Sequence, residues 1–162
     1  MLQQILRPFL SVALLGSFAI SANAGDFFPP DYKQFPFVPG DLLVSKGSKG
    51  RFSVNKVLTV DRVEIPQGTA INIQGQRFVA TESDFLLVVS ESLGADEFDT
   101  FDAAKSAAQA GRWTVKVGHA PNRAPGAAEG QTRVGHAPVL DSELAGYKVW
   151  RKAFDKGEAG IF

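Results

Sequence analysis

The chain has 162 residues, 17 basic and 17 acidic side chains, and no cysteine. This balance leaves no basic excess for nucleic acid or anionic lipid, so neither is expected as a partner. Disulfides and thiolate chemistry are excluded, and the fold has to be stabilised by hydrophobic burial and hydrogen bonding.

The first 24 residues have the pattern of a secretory signal peptide. Arg7 supplies a positive charge, the segment from Phe9 to Ile20 is mainly apolar, and Ala22-Asn-Ala24 is a small-residue cleavage site. A membrane anchor is the alternative, but the apolar segment is shorter than the roughly 20 residues that span a bilayer. We therefore expect cleavage between Ala24 and Gly25.

Cleavage would leave a protein of the size of one domain. Removing the first 24 of 162 residues leaves 138, with 16 basic and 17 acidic side chains and a net charge of −1. A small exported domain without cysteine is typical of a bacterial periplasmic or secreted protein. We expect no stable membrane insertion after cleavage. The expected organisation is a strap over residues 25–40 followed by a single domain over residues 41–162.

The strap is rich in proline and aromatic residues. Four prolines fall among the fourteen residues from Asp26 to Pro39, which disfavours both helix and central strand. An extended segment that covers part of the core is the favoured interpretation, because exposing every ring would create a large apolar patch. A docking arm for a partner is the alternative. The aromatic residues are Phe27, Phe28, Tyr32, Phe35 and Phe37.

Residues 41–90 predict an antiparallel β unit. Short segments rich in β-branched and aromatic residues alternate with turns that contain Gly, Pro or Ser-Asp. Lys46-Gly-Ser-Lys-Gly50 has the composition of a hairpin turn, and the apolar alternation that begins at Phe52 changes phase at Asn55-Lys56. This phase change predicts a bulge, which bends a small sheet towards a barrel. The predicted strands are 41–45, 51–60, 62–65, 69–73, 76–81 and 85–90.

A helix, a strand and a long loop are predicted next. The helix runs from Thr100 to Ala110, with Asp99 or Thr100 as its cap and Gly111 at its end. Residues 113–117 predict a strand with Trp113, Val115 and Val117 on one face. Residues 118–138 have the composition of a long loop or an irregular hairpin.

A second helix is predicted over residues 142–156, with Asp141 as its N-cap and Gly157 at its end. We expect it to pack on the β unit with Trp150 at the centre of the contact. Its predicted apolar face consists of Leu144, Tyr147, Val149, Trp150, Ala153 and Phe154.

Both histidines belong to an identical five-residue segment. Val117-Gly-His-Ala-Pro121 and Val134-Gly-His-Ala-Pro138 begin seventeen residues apart. On adjacent loops, His119 and His136 would provide two ligands for zinc or copper. No His-x-x-x-His or His-x-Glu spacing is present, which favours a structural role in which the two segments lie side by side. A carboxylate would have to complete a metal site, and the candidates are Glu129, Asp141 and Glu143.

Three other features have simple interpretations. The acidic residues at 96, 97, 99 and 102 lack the Gly and terminal Glu of a calcium loop, and they suit the N-terminus of a helix. The Gly-rich segment 46–51 joins two strands, which is not the context of a phosphate-binding loop. Ile161 and Phe162 are expected to fold back on the core, with recognition of this tail by a partner as the alternative.

These patterns predict an α+β fold, namely a small, strongly bent antiparallel sheet or partial barrel with two packed helices. A nucleophile paired with a base is not evident, so an enzyme is not the favoured interpretation and no catalytic residue is proposed. The favoured function is an exported, non-enzymatic binding module for a protein or an envelope component, without a cofactor. The alternatives are a zinc or copper protein that uses His119 and His136, and an inhibitor or immunity-type protein.

Overall fold

The computed structural model describes residues 26–162. The predicted signal peptide and its cleavage site at Ala24 and Gly25 lie outside these residues. Strands and helices mix in an α+β fold, which confirms the predicted fold class. The elements are β1 (Asp41–Lys46), β2 (Phe52–Ile65), β3 (Ala70–Ile73), β4 (Gln76–Val79), β5 (Asp84–Gly94), α1 (Phe101–Gln109), β6 (Val115–Arg123), α2 (Ala124–Ala128), β7 (Gln131–His136) and α3 (Ala145–Phe154).

Five strands form one open antiparallel sheet in the order β6-β5-β2-β1-β7, so β6 and β7 are its two edges. The long strand β2 joins two segments that the sequence predicts separately. Its pairing with β5 shifts register between Val57 and Thr59, which confirms the predicted bulge. The open sheet agrees with a partial barrel, since bulges bend a sheet and increase its twist.

β3 and β4 form a separate hairpin, and residues 161–162 connect it to the edge of the large sheet. Ile161 pairs with Ile73 of β3 in parallel. The backbone N–H of Phe162 donates to the carbonyl oxygen of Pro121 in β6, and the main-chain oxygen of Phe162 accepts from the N–H of Arg123, both at 2.9 Å. Ile161 is buried as predicted, whereas the Phe162 side chain is 64% exposed.

Helix α1 packs on β1 through its alanines. Ala103 N donates to the Thr100 hydroxyl oxygen at 3.2 Å, so Thr100 is the cap, and Gly111 with φ +63° follows the helix. The small side chains of Ala104 and Ala108 allow the helix to lie close to Leu42. Successive strand residues point to opposite faces, so the neighbouring Leu43 packs in a different cluster, with α2 and the strap.

The strap covers the core, as the favoured interpretation predicts. Phe28 is buried beside the cluster that contains Trp150, and Phe35 and Phe37 pack on the Leu43 cluster. Asp84 anchors the strap by accepting a hydrogen bond from Phe28 N at 2.7 Å. The segment is not extended throughout, because Pro30–Lys33 forms a 3-10 turn.

The prediction of a long loop or an irregular hairpin over residues 118–138 is wrong, because this region forms strands at opposite edges of the sheet. Residues 118–123 continue β6, and α2 and β7 follow with only two residues between them. Pro121 is tolerated because β6 is an edge strand, and Pro125 lies in the first turn of α2, where its missing N–H costs nothing. The strand predicted over residues 113–117 is present from Val115 onward, and its Val115 and Val117 are exposed.

Helix α3 begins later than predicted. A 3-10 turn over Asp141–Leu144 precedes it, and the Glu143 carboxylate, not Asp141, caps this turn by accepting from Leu140 N at 2.7 Å. Trp150 is buried as predicted, but Val149 is 73% exposed, so the predicted apolar face is too wide. In residues 26–162, no helix has the length and apolar character needed to cross a bilayer.

Candidate functional site

The two histidines lie at opposite edges of the large sheet. His119 is in β6 and His136 is in β7. The prediction that their five-residue segments lie side by side, on adjacent loops, is therefore wrong. The segments are identical, yet each pairs with a different strand, β5 for the first and β1 for the second.

His119 is half-buried under helix α3. Its Nε2 lies 3.0 Å from the Ser90 hydroxyl oxygen, and its ring centroid lies 5.4 Å from that of Trp150. Burial lowers the pKa of His119, against an opposing effect of the Asp61 carboxylate. A Cβ at Gly146 would lie 2.7 Å from His119 Cβ, so only glycine lets α3 approach this closely. The imidazole is therefore a packed, neutral hydrogen-bonding group.

His136 belongs to a charged cluster built on Asp41. Asp41 Oδ1 lies 2.6 Å from Arg133 Nε and 3.3 Å from His136 Nδ1, and its Oδ2 accepts from Val38 N at 3.0 Å. Burial alone would raise the pKa of Asp41, but these hydrogen bonds outweigh it and the net effect is a lowered pKa. The carboxylate thus fixes the position of the His136 ring.

Each histidine lines its own cleft, and Glu143 contributes to both. The His136 cleft has a volume of about 700 Å³ and the His119 cleft about 550 Å³. Lys56 is buried beside Glu143, and its Nζ donates to both carboxylate oxygens at 2.8 and 2.9 Å and to Pro138 O at 2.9 Å. Burial would raise the pKa of Glu143, but the hydrogen bonds from Leu140 N and Lys56 lower it. The cation and the carboxylate in these clefts therefore satisfy one another.

This arrangement does not assemble a set of metal ligands. No three His, Asp or Glu side chains within residues 26–162 come together as a metal site. The Ser90–His119 pair has the composition of a nucleophile with its base, but Ser90 is 0% exposed, so no substrate reaches its hydroxyl. The hypothesis that His119 and His136 bind zinc or copper stays a prediction, and two separate clefts would have to support it.

Glu91 in β5 is a buried carboxyl that sequence reasoning missed. Its Oε2 accepts from Asn122 Nδ2 at 3.1 Å, and its Oε1 is buried without a hydrogen-bond partner in the described part of the chain. Burial raises the pKa of Glu91 to about 7, against the hydrogen bond from Asn122. A glutamate between two serines in a strand indicates a position that faces solvent. The burial of Glu91 follows from tertiary packing, which the local sequence does not indicate.

A concave aromatic pocket lies where the strap meets the β3–β4 hairpin and the end of β6. Its volume is about 280 Å³. We call it the strap pocket, and it is lined chiefly by Phe27, Phe28, Tyr32, Ile73, Phe78 and Arg123. The first two rings meet edge to face at 4.7 Å, and the Phe28 and Tyr32 rings stack at 5.7 Å. The strap thus forms one wall of the pocket as well as a cover for the core.

Arg123 is the charged group of the strap pocket. Its guanidinium lies 5.2 Å from the Tyr32 ring centroid and donates to the Tyr32 hydroxyl oxygen, and its Nε lies 3.3 Å from Phe162 O. Within residues 26–162, no Asp or Glu side chain forms an ion pair with Arg123. Arg123 therefore differs from Lys56, which is paired with the Glu143 carboxylate.

Two exposed apolar side chains lie beside Arg123. Phe78 lines the strap pocket and is 38% exposed. Phe162, which bonds to the same Arg123, is also exposed. Sequence reasoning identified the aromatic residues of the strap but not Phe78 or Arg123, because pairing between distant segments brings them together.

No protein-family model matches the sequence, and no curated protein or solved structure is significantly similar to it.

Proposed function

We propose that the protein is an exported, non-enzymatic binding module that uses the strap pocket to hold a protein or an envelope component. One observation carries the proposal. The pocket is concave and aromatic, it contains one half-buried arginine, and its lining exposes part of the Phe78 ring. Convergent apolar walls with a single charged group are typical of ligand sites.

The clefts near the histidines are weaker candidates for the same role. Lys56 and Glu143 pair with each other, and Asp41 pairs with Arg133 and His136. A ligand that used these charges would have to break internal ion pairs, and removing one partner of a buried pair is costly. A ligand can bury the apolar walls of the strap pocket without breaking an internal ion pair.

The binding proposal is tested by a crosslinked pull-down of the exported protein from its own envelope fraction. Phe78→Asp places a charge on the apolar rim, and we expect it to abolish capture of the partner that the unchanged protein retains. Val149→Asp is the matched control, because Val149 is exposed on α3 and does not line the strap pocket. Capture that survives Phe78→Asp and is lost with Val149→Asp would contradict the proposal.

Export is supported by the residues that precede Gly25 and is tested independently. Intact-mass measurement of protein from the envelope should show loss of Met1 to Ala24. A full-length chain embedded in the membrane would overturn the proposed location.

The two alternatives predict different results. Elemental analysis of protein purified without an affinity tag would favour the metal hypothesis if it found near-stoichiometric zinc or copper that His119→Ala or His136→Ala removes. An inhibitor or immunity-type role would be indicated if the captured partner were an enzyme or a toxin whose activity the protein blocks.

A further inference from the structure

We propose that the outer edge of β4 binds an extended polypeptide segment of a partner protein, which pairs with it as one further antiparallel strand. The inference rests on the proposed function, because it assumes that the partner held at the strap pocket is a protein. It goes beyond that proposal by naming the conformation of the partner and the strand of this chain that receives it. The strand contributes Arg77 and Val79, which do not line the strap pocket.

The backbone of β4 directs two residues away from β3. Ala80, just beyond the strand, donates its N–H to Thr69 O at 2.9 Å, so it faces the β3 side of the hairpin. Successive residues of a paired strand direct their N–H and C=O groups to opposite sides, so Phe78 also faces β3, whereas Arg77 and Val79 face outward. In the described part of the chain β4 pairs only with β3, so these outward groups have no strand to bond to.

The other strand edges of the molecule carry features that prevent strand pairing. The edge strand β6 has two register shifts and Pro121, and Phe162 bonds to its end. The edge strand β7 has one register shift, and the Gln109 side chain donates to Val134 O at 2.8 Å. Ile161 pairs with the outer side of β3. Bulges, prolines and covering segments protect edges in this way, and β4 has neither a bulge nor a proline.

The side chains of β4 present a different surface on each face of the hairpin. Phe78 lines the strap pocket, and alternation along the strand places Arg77 and Val79 on the opposite face. An added strand sets one side chain beside Phe78, where an aromatic or β-branched residue forms a favourable cross-strand pair. The segment thereby extends the apolar wall that Phe78 contributes to the strap pocket.

Charge favours a partner segment with an acidic side chain over a second copy of this chain. Arg77 is exposed and forms no ion pair within residues 26–162, either with Asp31 of the strap or with Glu82, which follows β4. An acidic residue opposite Arg77 forms a favourable cross-strand pair. Two copies joined through β4 would instead bring both Arg77 side chains to the same face, and cations on an edge strand disfavour such pairing.

Hydrogen exchange measured by nuclear magnetic resonance tests the edge, with the purified exported protein and the peptide acetyl-Thr-Val-Phe-Glu-Thr-amide. Antiparallel to β4, this probe sets its valine opposite Val79, its phenylalanine opposite Phe78 and its glutamate opposite Arg77. Without peptide, we expect the Phe78 amide to exchange at least about tenfold more slowly than the Arg77 and Val79 amides. Saturating peptide should slow exchange at Arg77 and Val79 by about tenfold or more.

Two altered peptides assign the binding to the added hydrogen bonds and to charge. Methylation of the valine nitrogen of the peptide removes the donor to Val79 O and keeps every side chain, so the Kd should rise at least about tenfold. Lysine in place of the glutamate should raise the Kd severalfold, because two cations would then lie opposite each other across the strands. No binding of the unaltered peptide, or a Kd that either change leaves the same, would overturn the inference.

Val79→Pro blocks the same edge from the side of this chain. Proline removes an outward N–H that the hairpin does not use, and edge strands tolerate it, so the fold should be kept. Val79→Thr is the matched control, because it retains the N–H and a branched side chain. Val79→Pro should raise the Kd of the peptide at least about tenfold and abolish capture of the envelope partner, and Val79→Thr should do neither. If Val79→Pro does not fold, the methylated peptide makes the same comparison on the unchanged protein.

The outcomes separate this inference from the proposed function. Protection of the Arg77 and Val79 amides without peptide would overturn the inference, since a second copy or another segment of the chain would then already occupy the edge. If Phe78→Asp abolishes capture and Val79→Pro leaves it unchanged, the proposed function stands and the inference fails. If Val79→Pro abolishes both peptide binding and capture while Phe78→Asp leaves capture unchanged, the β4 edge binds the partner and the proposed function of the strap pocket fails.

Discussion

The clefts beside the histidines and the strap pocket differ in how their charged groups are satisfied. In the clefts, Lys56 is paired with Glu143, and Asp41 is paired with Arg133 and His136. In the strap pocket, most of the lining is aromatic or aliphatic, and Arg123 contacts the Tyr32 hydroxyl oxygen and the main-chain oxygen of Phe162. The difference teaches that a large cleft is not the best candidate for function when its charges stabilise the protein itself.

This comparison predicts that changes in the clefts lower stability and that changes in the strap pocket lower binding. The largest stability effect is expected at Trp150, whose ring packs between His119 and Phe154 and whose Nε1 donates to Gly160 O at 2.9 Å. Trp150→Ala should lower the free energy of unfolding by about 3–5 kcal/mol, as measured by denaturant titration. Val149→Ala, its exposed neighbour, should change it by no more than about 0.5 kcal/mol. Similar losses of stability in Trp150→Ala and Val149→Ala would contradict the burial of Trp150.

Glu91 sharpens the comparison because it is a buried carboxyl whose Oε1 has no hydrogen-bond partner within residues 26–162. Its pKa is raised from 4.5 to about 7, so the folded state retains a proton that the unfolded chain releases. Its contribution to stability is therefore complete below pH 4.5 and is lost as the pH rises to about 7, on the order of 3 kcal/mol in total. Glu91→Gln should remove this slope, as measured by unfolding at several pH values.

His119 titrates in an overlapping range with the opposite sign. Because burial lowers its pKa, its contribution is present above the pKa of the unfolded chain and is lost as the pH falls. The difference between the unchanged protein and Glu91→Gln, not either curve alone, is therefore the quantity to compare. Glu129→Gln controls for the loss of one exposed acidic group, and a difference curve that is flat from pH 4.5 to 7 would contradict the burial of Glu91.

The Lys56–Glu143 pair should give a smaller effect. Glu143→Gln leaves the buried ammonium of Lys56 without its counter-charge, and we expect a loss of about 1–3 kcal/mol. Lys56→Met added to Glu143→Gln should recover part of this loss, which a double-mutant cycle measures. Asp141→Asn removes an exposed ion pair with Lys148 and should leave the melting temperature unchanged. If the free energy of unfolding of Glu143→Gln equals that of the unchanged protein, the Lys56–Glu143 pair does not stabilise the fold.

The smallest stability effect is expected at the rim of the strap pocket. Phe78 is partly exposed on a short hairpin, so Phe78→Ala should lower the free energy of unfolding by less than about 1 kcal/mol. The same variant should weaken capture of the envelope partner at least severalfold, because it removes one aromatic wall of the strap pocket. A large loss of stability with unchanged binding would place Phe78 in the core instead.

The sequence predicts those parts of the fold that depend on local patterns. The strands of residues 41–90, the bulge after Asn55-Lys56 and the cap at Thr100 follow from alternation and capping chemistry, and the structure confirms them. The prediction for residues 118–138 is wrong because Gly and Pro residues there indicate a loop. In the structure, parts of this region pair with β5 and β1 and form the edge strands.

The candidate site was less predictable than the fold. Phe28 and Tyr32 belong to a segment that the sequence marks as unusual, but Ile73, Phe78 and Arg123 reach the pocket from three other places in the chain. The two histidines belong to identical segments, but tertiary packing gives them different partners, Ser90 for His119 and Asp41 for His136. Local sequence decides that each segment joins a strand, and the neighbouring strands decide its chemistry.

Photo-crosslinking in the envelope fraction tests most directly the claim that the strap pocket, and not the cleft side, is the binding surface. A photoreactive phenylalanine analogue replaces Phe78 in the lining of the strap pocket in one variant, and a photoreactive amino acid replaces Val149 on α3 in another, since both positions are exposed. We predict one discrete crosslinked species from position 78 and no discrete species from position 149. A discrete species from position 149 alone, or the same species from both positions, would contradict the account.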